Sequence, residues 1–142
     1  MSDRPLTLKS LSTHQELRDA VELQREIWGF SDLELLPLRL FVVATKVGGQ
    51  VLGAYDGDRM VGFLLAIPGL KPAGKSYLHS HMLGVLPEYR NTGVGRMLKL
   101  RQRENALVTG VEHGCVAAGI QPQEHRGSVR SREPSSNNDR AR

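Results

Sequence analysis

One twelve-residue stretch, Val85-Leu86-Pro87-Glu88-Tyr89-Arg90-Asn91-Thr92-Gly93-Val94-Gly95-Arg96, constrains the fold more than any other. A strand ends near Val85, and Pro87, which has no N–H to give a ladder, blocks its continuation. A helix opens around Gly93. Gly93 and Gly95 carry no Cβ, so an anion can come close to the backbone at both. The first N–H groups of a helix lack internal partners and point out of its end, where the macrodipole also favours negative charge. Arg90 and Arg96 add full positive charge beside them. The junction is suited to holding a phosphate.

The flanking sequence supplies the elements that this junction needs. Residues 77–85 read as a strand, and residues 93–109 as a helix with Val94, Met97, Leu98, Leu107 and Val108 on its apolar face. Upstream, residues 6–11 give a weak strand signal. Thr13 and Glu16 match a capping box opening a helix that buries Leu17, Ala20, Val21, Gln24 and Trp28, and Gly29 ends it. A second helix starts near Pro37, with Leu36, Leu40, Val43 and Val47 at helical spacing, and closes at Gly48-Gly49. Residues 51–55 and 60–67 are strands joined by Asp56-Gly57-Asp58-Arg59, a hairpin signal. Residues 68–75 read as a loop. The order β, α, α, β, β, β, α describes an α/β domain with an antiparallel hairpin at its middle.

At 142 residues, with 39% hydrophobic and 24% charged residues, the chain suits one globular domain. The net charge of +4 welcomes an anionic ligand, but the basic residues are scattered and only 5% of residues are aromatic. Nucleic acid is therefore not the expected partner. No apolar run reaches the ~18 residues that a membrane span requires. The start of the sequence lacks a signal-peptide core, and a cytoplasmic protein with no membrane partner is expected. Cys115 is the single cysteine, so no internal disulfide forms. It has no orienting third group that would make it a nucleophile.

A more literal phosphate motif stands at Gly69-Leu70-Lys71-Pro72-Ala73-Gly74-Lys75-Ser76, which matches G-x-x-x-x-G-K-S. Context excludes it. A P-loop must wrap into a helix, whereas Tyr77-Leu78-His79-Ser80-His81-Met82-Leu83 alternates like a strand. Pro72 would also remove a backbone donor from the cradle. A dinucleotide-binding turn fails too, because no third glycine follows Gly95 and no βαβ unit precedes it.

The spacing Val-x-Pro-x-x-Arg-x-x-Gly-x-Gly at a strand–helix junction resembles the central motif of the GNAT acetyltransferase superfamily. The element order over residues 6–112 resembles that family as well. The resemblance implies a mixed, mostly antiparallel sheet flanked by helices. It implies an N-acetyltransferase that moves an acetyl group from acetyl-CoA to an amine, on a small molecule or a peptide, by direct attack. By the same resemblance, the backbone of Leu83, Gly84 and Val85 pairs with the pantetheine arm. The amides of Arg90, Asn91, Thr92, Gly93, Val94, Gly95 and Arg96 then wrap the pyrophosphate.

The family's general base often stands on the strand before the loop, in some members six residues ahead of the valine position, which here is His79. His81 lies two residues on, so both side chains leave one face of a regular strand. An imidazole titrates near neutral pH and suits proton abstraction. The alternatives are structurally hydrogen-bonded or solvent-facing histidines, or a metal pair, which would have too few ligands; no metal is expected. Glu26 and Glu34 are candidates for recognising a cationic amine, and exposed helix positions are the ordinary use of such residues.

The resemblance breaks after Glu112. The family continues with a fifth strand, a helix that commonly supplies a tyrosine acid, and further strands. Here the tyrosines are Tyr55, Tyr77 and Tyr89, all earlier. Residues 116–120 are the last apolar stretch, and the polar residues 121–142 read as disordered. The division expected is a domain over residues 1–112 lacking the usual C-terminal strands and helix, and an aberrant tail over 113–142, from truncation or a frame change near 112–117. An uncovered strand edge then implies low stability or association with another chain, a homo-oligomer included. The rival functional reading is a catalytically incompetent fragment that binds CoA or a partner at most.

Overall fold

The structure, a computed structural model, describes residues 5–109. The expected boundary near residue 112, Cys115 and the apolar stretch at 116–120 lie outside those residues. In chain order the elements are β1 (Thr7–Ser10), α1 (His14–Trp28), α2 (Leu38–Lys46), β2 (Gln50–Asp56), β3 (Arg59–Leu70), β4 (Ser76–Val85), a 3-10 turn (Pro87–Tyr89) and α3 (Val94–Thr109). The strands form one antiparallel sheet in the order β1-β2-β3-β4.

Local chemistry sets the ends of α1. The Thr13 hydroxyl accepts from the Glu16 amide at 3.1 Å, and the Glu16 carboxylate accepts from the Thr13 amide at 3.1 Å and the Ser12 amide at 2.9 Å. Gly29 adopts φ 69° and donates its N–H to the Arg25 carbonyl, a left-handed stop that a side chain would strain. Lys9 of β1 pairs with Glu16 and, with the two amides, holds its carboxyl down to about 2 against the usual 4.5. Thr13→Ala is expected to lower stability by about 1 kcal/mol in urea unfolding. Because the folded pKa is depressed, the Glu16 contribution is complete above pH 4.5 and is lost as pH falls towards 2.

The five residues assigned to the inner face of α1 are all buried, joined by Leu23 and Ile27. Gln24 is there for a specific reason. Its amide bridges the Leu36 backbone, donating to the carbonyl and accepting from the N–H, both at 3.0 Å. That pair pins the segment joining α1 to α2. In α2 the buried residues are Phe41 and Ala44, while Val43 and Val47 are about half exposed (45% and 53%). The stripe Leu36, Leu40, Val43, Val47 is therefore not the inner face. In so apolar a helix several stripes fit the period equally well, and only the position of the sheet selects one.

Phe63 on β3 ties one layer together, with its ring 6.0 Å from Trp28 of α1 and 6.1 Å from Phe41 of α2. Its neighbour Gly62 points the other way, where a Cβ would lie 3.1 Å from Val94 and 3.5 Å from Leu98 of α3. Helices α1 and α2 thus cover one face of the sheet and α3 the other. The buried row of α3 is Val94, Leu98, Gln102 and Ala106, whereas Leu107 and Val108 are exposed, unlike the face expected. The observed residues are spaced by four, and this row crosses the sheet even where it passes through a glutamine.

Strand β3 also runs further than its sequence suggests. Residues 68–70, expected in a loop, pair with β4 through Pro68↔Leu78, Gly69↔Tyr77 and Leu70↔Ser76. A Cβ on Gly69 would lie 2.6 Å from the Tyr77 ring, so the glycine seats that ring rather than breaking the strand. The turn proper is short, closed by Lys71 N–H to the Lys75 carbonyl at 2.9 Å.

Candidate functional site

The P-loop string is divided between two strands. Gly69 and Leu70 belong to β3 and Ser76 to β4, so no helix receives a phosphate there. The second glycine loop does run from a strand into a helix. After Val85 the chain makes the 3-10 turn, Arg90 is extended, Asn91 takes φ 64°, Gly93 takes φ 92° and α3 opens at Val94. Left-handed φ at Gly93 accounts for that glycine. At Asn91 it costs strain that the short polar side chain tolerates.

Gly95 needs a different account. Its φ is unexceptional, and a Cβ there would meet only Leu83 at 3.8 Å and Val85 at 4.0 Å, ordinary contacts. Packing within the chain does not require a glycine at this position. Its bareness leaves open space against the backbone at the first turn of a helix. The helix ladder begins with Met97 N–H to the Gly93 carbonyl, so the amides of residues 91–96 have no acceptor among the described residues. Arg90 and Arg96 are exposed, and neither forms an ion pair with a described residue.

Strand β4 carries the rest. It ends the strand order, so its outer edge has no partner strand among the described residues. Leu86 N–H donates to the Val61 carbonyl, and hydrogen-bonded pairs alternate in an antiparallel ladder. The Leu86 N–H and the polar groups of Gly84 therefore point to β3, while the Leu86 carbonyl accepts from the Tyr89 N–H at 2.9 Å. Leu83 and Val85 turn their polar groups to the open edge. Gly84 has a packing role, since a Cβ would lie 2.7 Å from Trp28 and 2.9 Å from Ile27.

The register of β4 slips once. Leu65 pairs with Met82 and Ala66 with Ser80, which leaves His81 as an extra, bulged residue. The bulge lets both Ser80 and Leu83 face α3, although they are three apart. His79 and His81 are both exposed with ring centroids 5.7 Å apart, so the structure does bring them together, at a bulge rather than on a regular strand. Partial burial, and secondarily the nearby His79, push the His81 imidazole below its usual value.

Glu34 is used locally, its carboxylate accepting from the Ser31 amide at 2.9 Å, while Glu26 is exposed on α1. Trp28 packs in the core, stacked on Phe30 at 5.3 Å. No group of three or more metal-type ligands occurs among the described residues. No described helix is long and apolar enough to cross a membrane. A hollow of about 680 Å³ lined by His14, Pro37, Leu38, Arg39 and Val42 shares no residue with the glycine loop or with the His79–His81 pair.

Two contacts at the site escape a linear reading. The Tyr89 hydroxyl donates to Asp56 at 2.6 Å, and Arg59 pairs with Glu88 at 3.2 Å. Asp56 and Arg59 read only as parts of a turn, and nothing in sequence links them to residues 33 and 29 positions away. Lys99 of α3, one helical turn beyond Gly95, donates to the Ser80 hydroxyl at 2.9 Å, and burial lowers its pKa. A lysine at i+4 from the bare glycine was the available signal.

The family model for the acetyltransferase (GNAT) family matches residues 14–129, most of the chain. The chain belongs to the GNAT acetyltransferase family. Similar solved structures share its fold at low identity. An aminoglycoside acetyltransferase from an uncultured soil metagenomic sample, in complex with trehalose, is 14% identical with a TM-score of 0.66, covering 96% of this chain and 93% of that one. A Trypanosoma brucei acetyltransferase is 16% identical (TM-score 0.61, 96% and 98% covered). A ribosomal-protein-alanine N-acetyltransferase from Brucella melitensis biovar Abortus is 15% identical (TM-score 0.61, 97% and 96% covered). No curated protein matches significantly in sequence.

Proposed function

We propose that this GNAT chain is an acetyl-CoA-dependent N-acetyltransferase acting on an amine of a small molecule or a peptide by direct attack. The observation that carries the reading is the bare first turn of α3. Six amides without an acceptor among the described residues, and the open space at Gly95, lie at this turn with Arg90 and Arg96 exposed beside them. Acetyl-CoA supplies the acetyl group as a thioester. In this reading the amides of residues 91–96 hold its pyrophosphate, and the outward N–H and C=O groups of Leu83 and Val85 hold its pantetheine arm. These fixed donors are in place before the ligand arrives and need no reorganisation.

At the bulge of β4, His81 accepts a proton from the substrate ammonium at a ring nitrogen, which frees the amine lone pair to attack the thioester carbonyl. The C–S bond breaks and CoA leaves as a thiolate that takes a proton. His79 is the neighbouring imidazole that tunes it. Both acceptor classes have precedents among the similar folds, which include aminoglycoside and ribosomal-protein-alanine acetyltransferases.

Calorimetry with acetyl-CoA, CoA and ATP, paired with a thiol-release assay over a panel of aminoglycoside and N-terminal peptide amines, tests this function. CoA binding with thiol release is the expected result. CoA binding without turnover on any amine favours the non-catalytic alternative. Magnesium-dependent ATP binding that is lost in Lys75→Ala overturns both.

A further inference from the structure

Two left-handed residues within three positions, Asn91 at φ 64° and Gly93 at φ 92°, make a backbone that does not hold its shape unaided. On one side it is fixed by α3. On the other it is fixed by Tyr89, whose carbonyl accepts from the Thr92 hydroxyl. Tyr89 is in turn fixed from outside the loop. Its hydroxyl donates to the Asp56 carboxylate at 2.6 Å, with Asp56 only 7% and Tyr89 only 6% exposed. At the surface Glu88 pairs with Arg59 at 3.2 Å, and the Arg59 guanidinium lies 6.0 Å from the Tyr89 ring. All three contacts run from the tight turn between β2 and β3 to the 3-10 turn. A carboxylate so buried must be held by hydrogen bonds to be tolerated, which makes the Tyr89–Asp56 contact a fixed one.

We infer that the Asp56–Tyr89 hydrogen bond is a positioning element for the glycine loop. It sets the direction of the amides of residues 91–96 and thereby the affinity for the pyrophosphate of CoA. The inference rests on the CoA reading of that loop. Asp56 and Tyr89 do not touch the ligand. They act through the backbone by pre-organisation, which removes an ordering cost from binding.

The predicted effect is selective for ligand and kinetic constant. Tyr89→Phe keeps the ring and removes the donor. It should weaken CoA binding about tenfold in calorimetry, leave pantetheine, which has no phosphate, within about twofold, and raise the KM for acetyl-CoA with little change in kcat. Asp56→Asn keeps an oxygen acceptor and should lose less. The double variant should be no worse than Tyr89→Phe, because both changes remove one interaction. If Tyr89→Phe does not fold, Arg59→Ala on the surface should show the same selectivity at roughly two- to threefold.

CoA affinities matching wild type in these folded variants would overturn the inference. So would equal losses for CoA and pantetheine, which indicate general loosening. A wild-type chain that binds no CoA sinks the reading of the loop instead, and is recognised before any variant is made.

Discussion

Gly95→Ala is expected to raise the unfolding temperature while weakening CoA binding on the order of a hundredfold. The two effects have separate causes. Gly95 lies in the first turn of α3 without a left-handed φ, and an added Cβ meets only Leu83 at 3.8 Å and Val85 at 4.0 Å. Alanine exceeds glycine in helix propensity by about 0.8–1 kcal/mol, and no contact with a described residue opposes that gain. On the proposed function, the methyl also fills the space through which the pyrophosphate would reach the helix amides. Gly93→Ala is the control. Nothing lies within 4 Å of its Cβ, but φ 92° strains any side chain, so it should lose stability and binding together. Thermal unfolding with calorimetry distinguishes the two. A Gly95→Ala chain that is stabilised and binds CoA normally would remove the ligand from this turn.

His81→Ala is expected to lower kcat/KM about a hundredfold near pH 7, the usual scale for losing a positioned base. The pH profile identifies the group more securely than the loss does. Burial first, then the neighbouring His79, hold the His81 imidazole below 6.5. A depressed pKa keeps the base neutral further down in pH, so the acid limb of kcat/KM should fall on the low-pH side of that of an unperturbed imidazole. His79→Asn removes a like charge at a ring spacing of 5.7 Å, which raises His81 and moves that limb to higher pH with a smaller loss of rate. A larger loss in His79→Asn than in His81→Ala would exchange the roles. Losses within about threefold in both variants would place the base elsewhere.

The glycine loop was legible because its chemistry is local. Pro87, Gly93, Gly95 and the helix start lie within a few residues of each other, and each acts on its own backbone. The same is true of the Thr13–Glu16 cap and the Gly29 stop. The inner face of α2 was not legible, since its apolar residues fit several stripes and only the sheet selected Phe41 and Ala44. The extent of β3 was misread because Pro68 and Gly69 signal a loop. On the strand, Gly69 seats the Tyr77 ring. The histidine pair was named from its spacing, but the bulge at His81 depends on how β3 and β4 align, which neither strand encodes alone.

By itself the sequence determined where helices begin and end, that two antiparallel strands meet at Asp56–Arg59, and that a glycine turn leads from the last described strand into a helix. All of these follow from backbone freedom and hydrogen bonding over a few residues. Only the tertiary structure decided that Gly84 belongs to Trp28 while Gly95 is left bare. It also decided that Leu83 and Val85 turn their polar groups to the open edge, and that Tyr89 is held by Asp56 from 33 residues away. The physical reason is the range of the interactions. Caps and turns act over three or four residues, whereas packing and strand register are fixed by partners that the chain brings together only when the sheet closes.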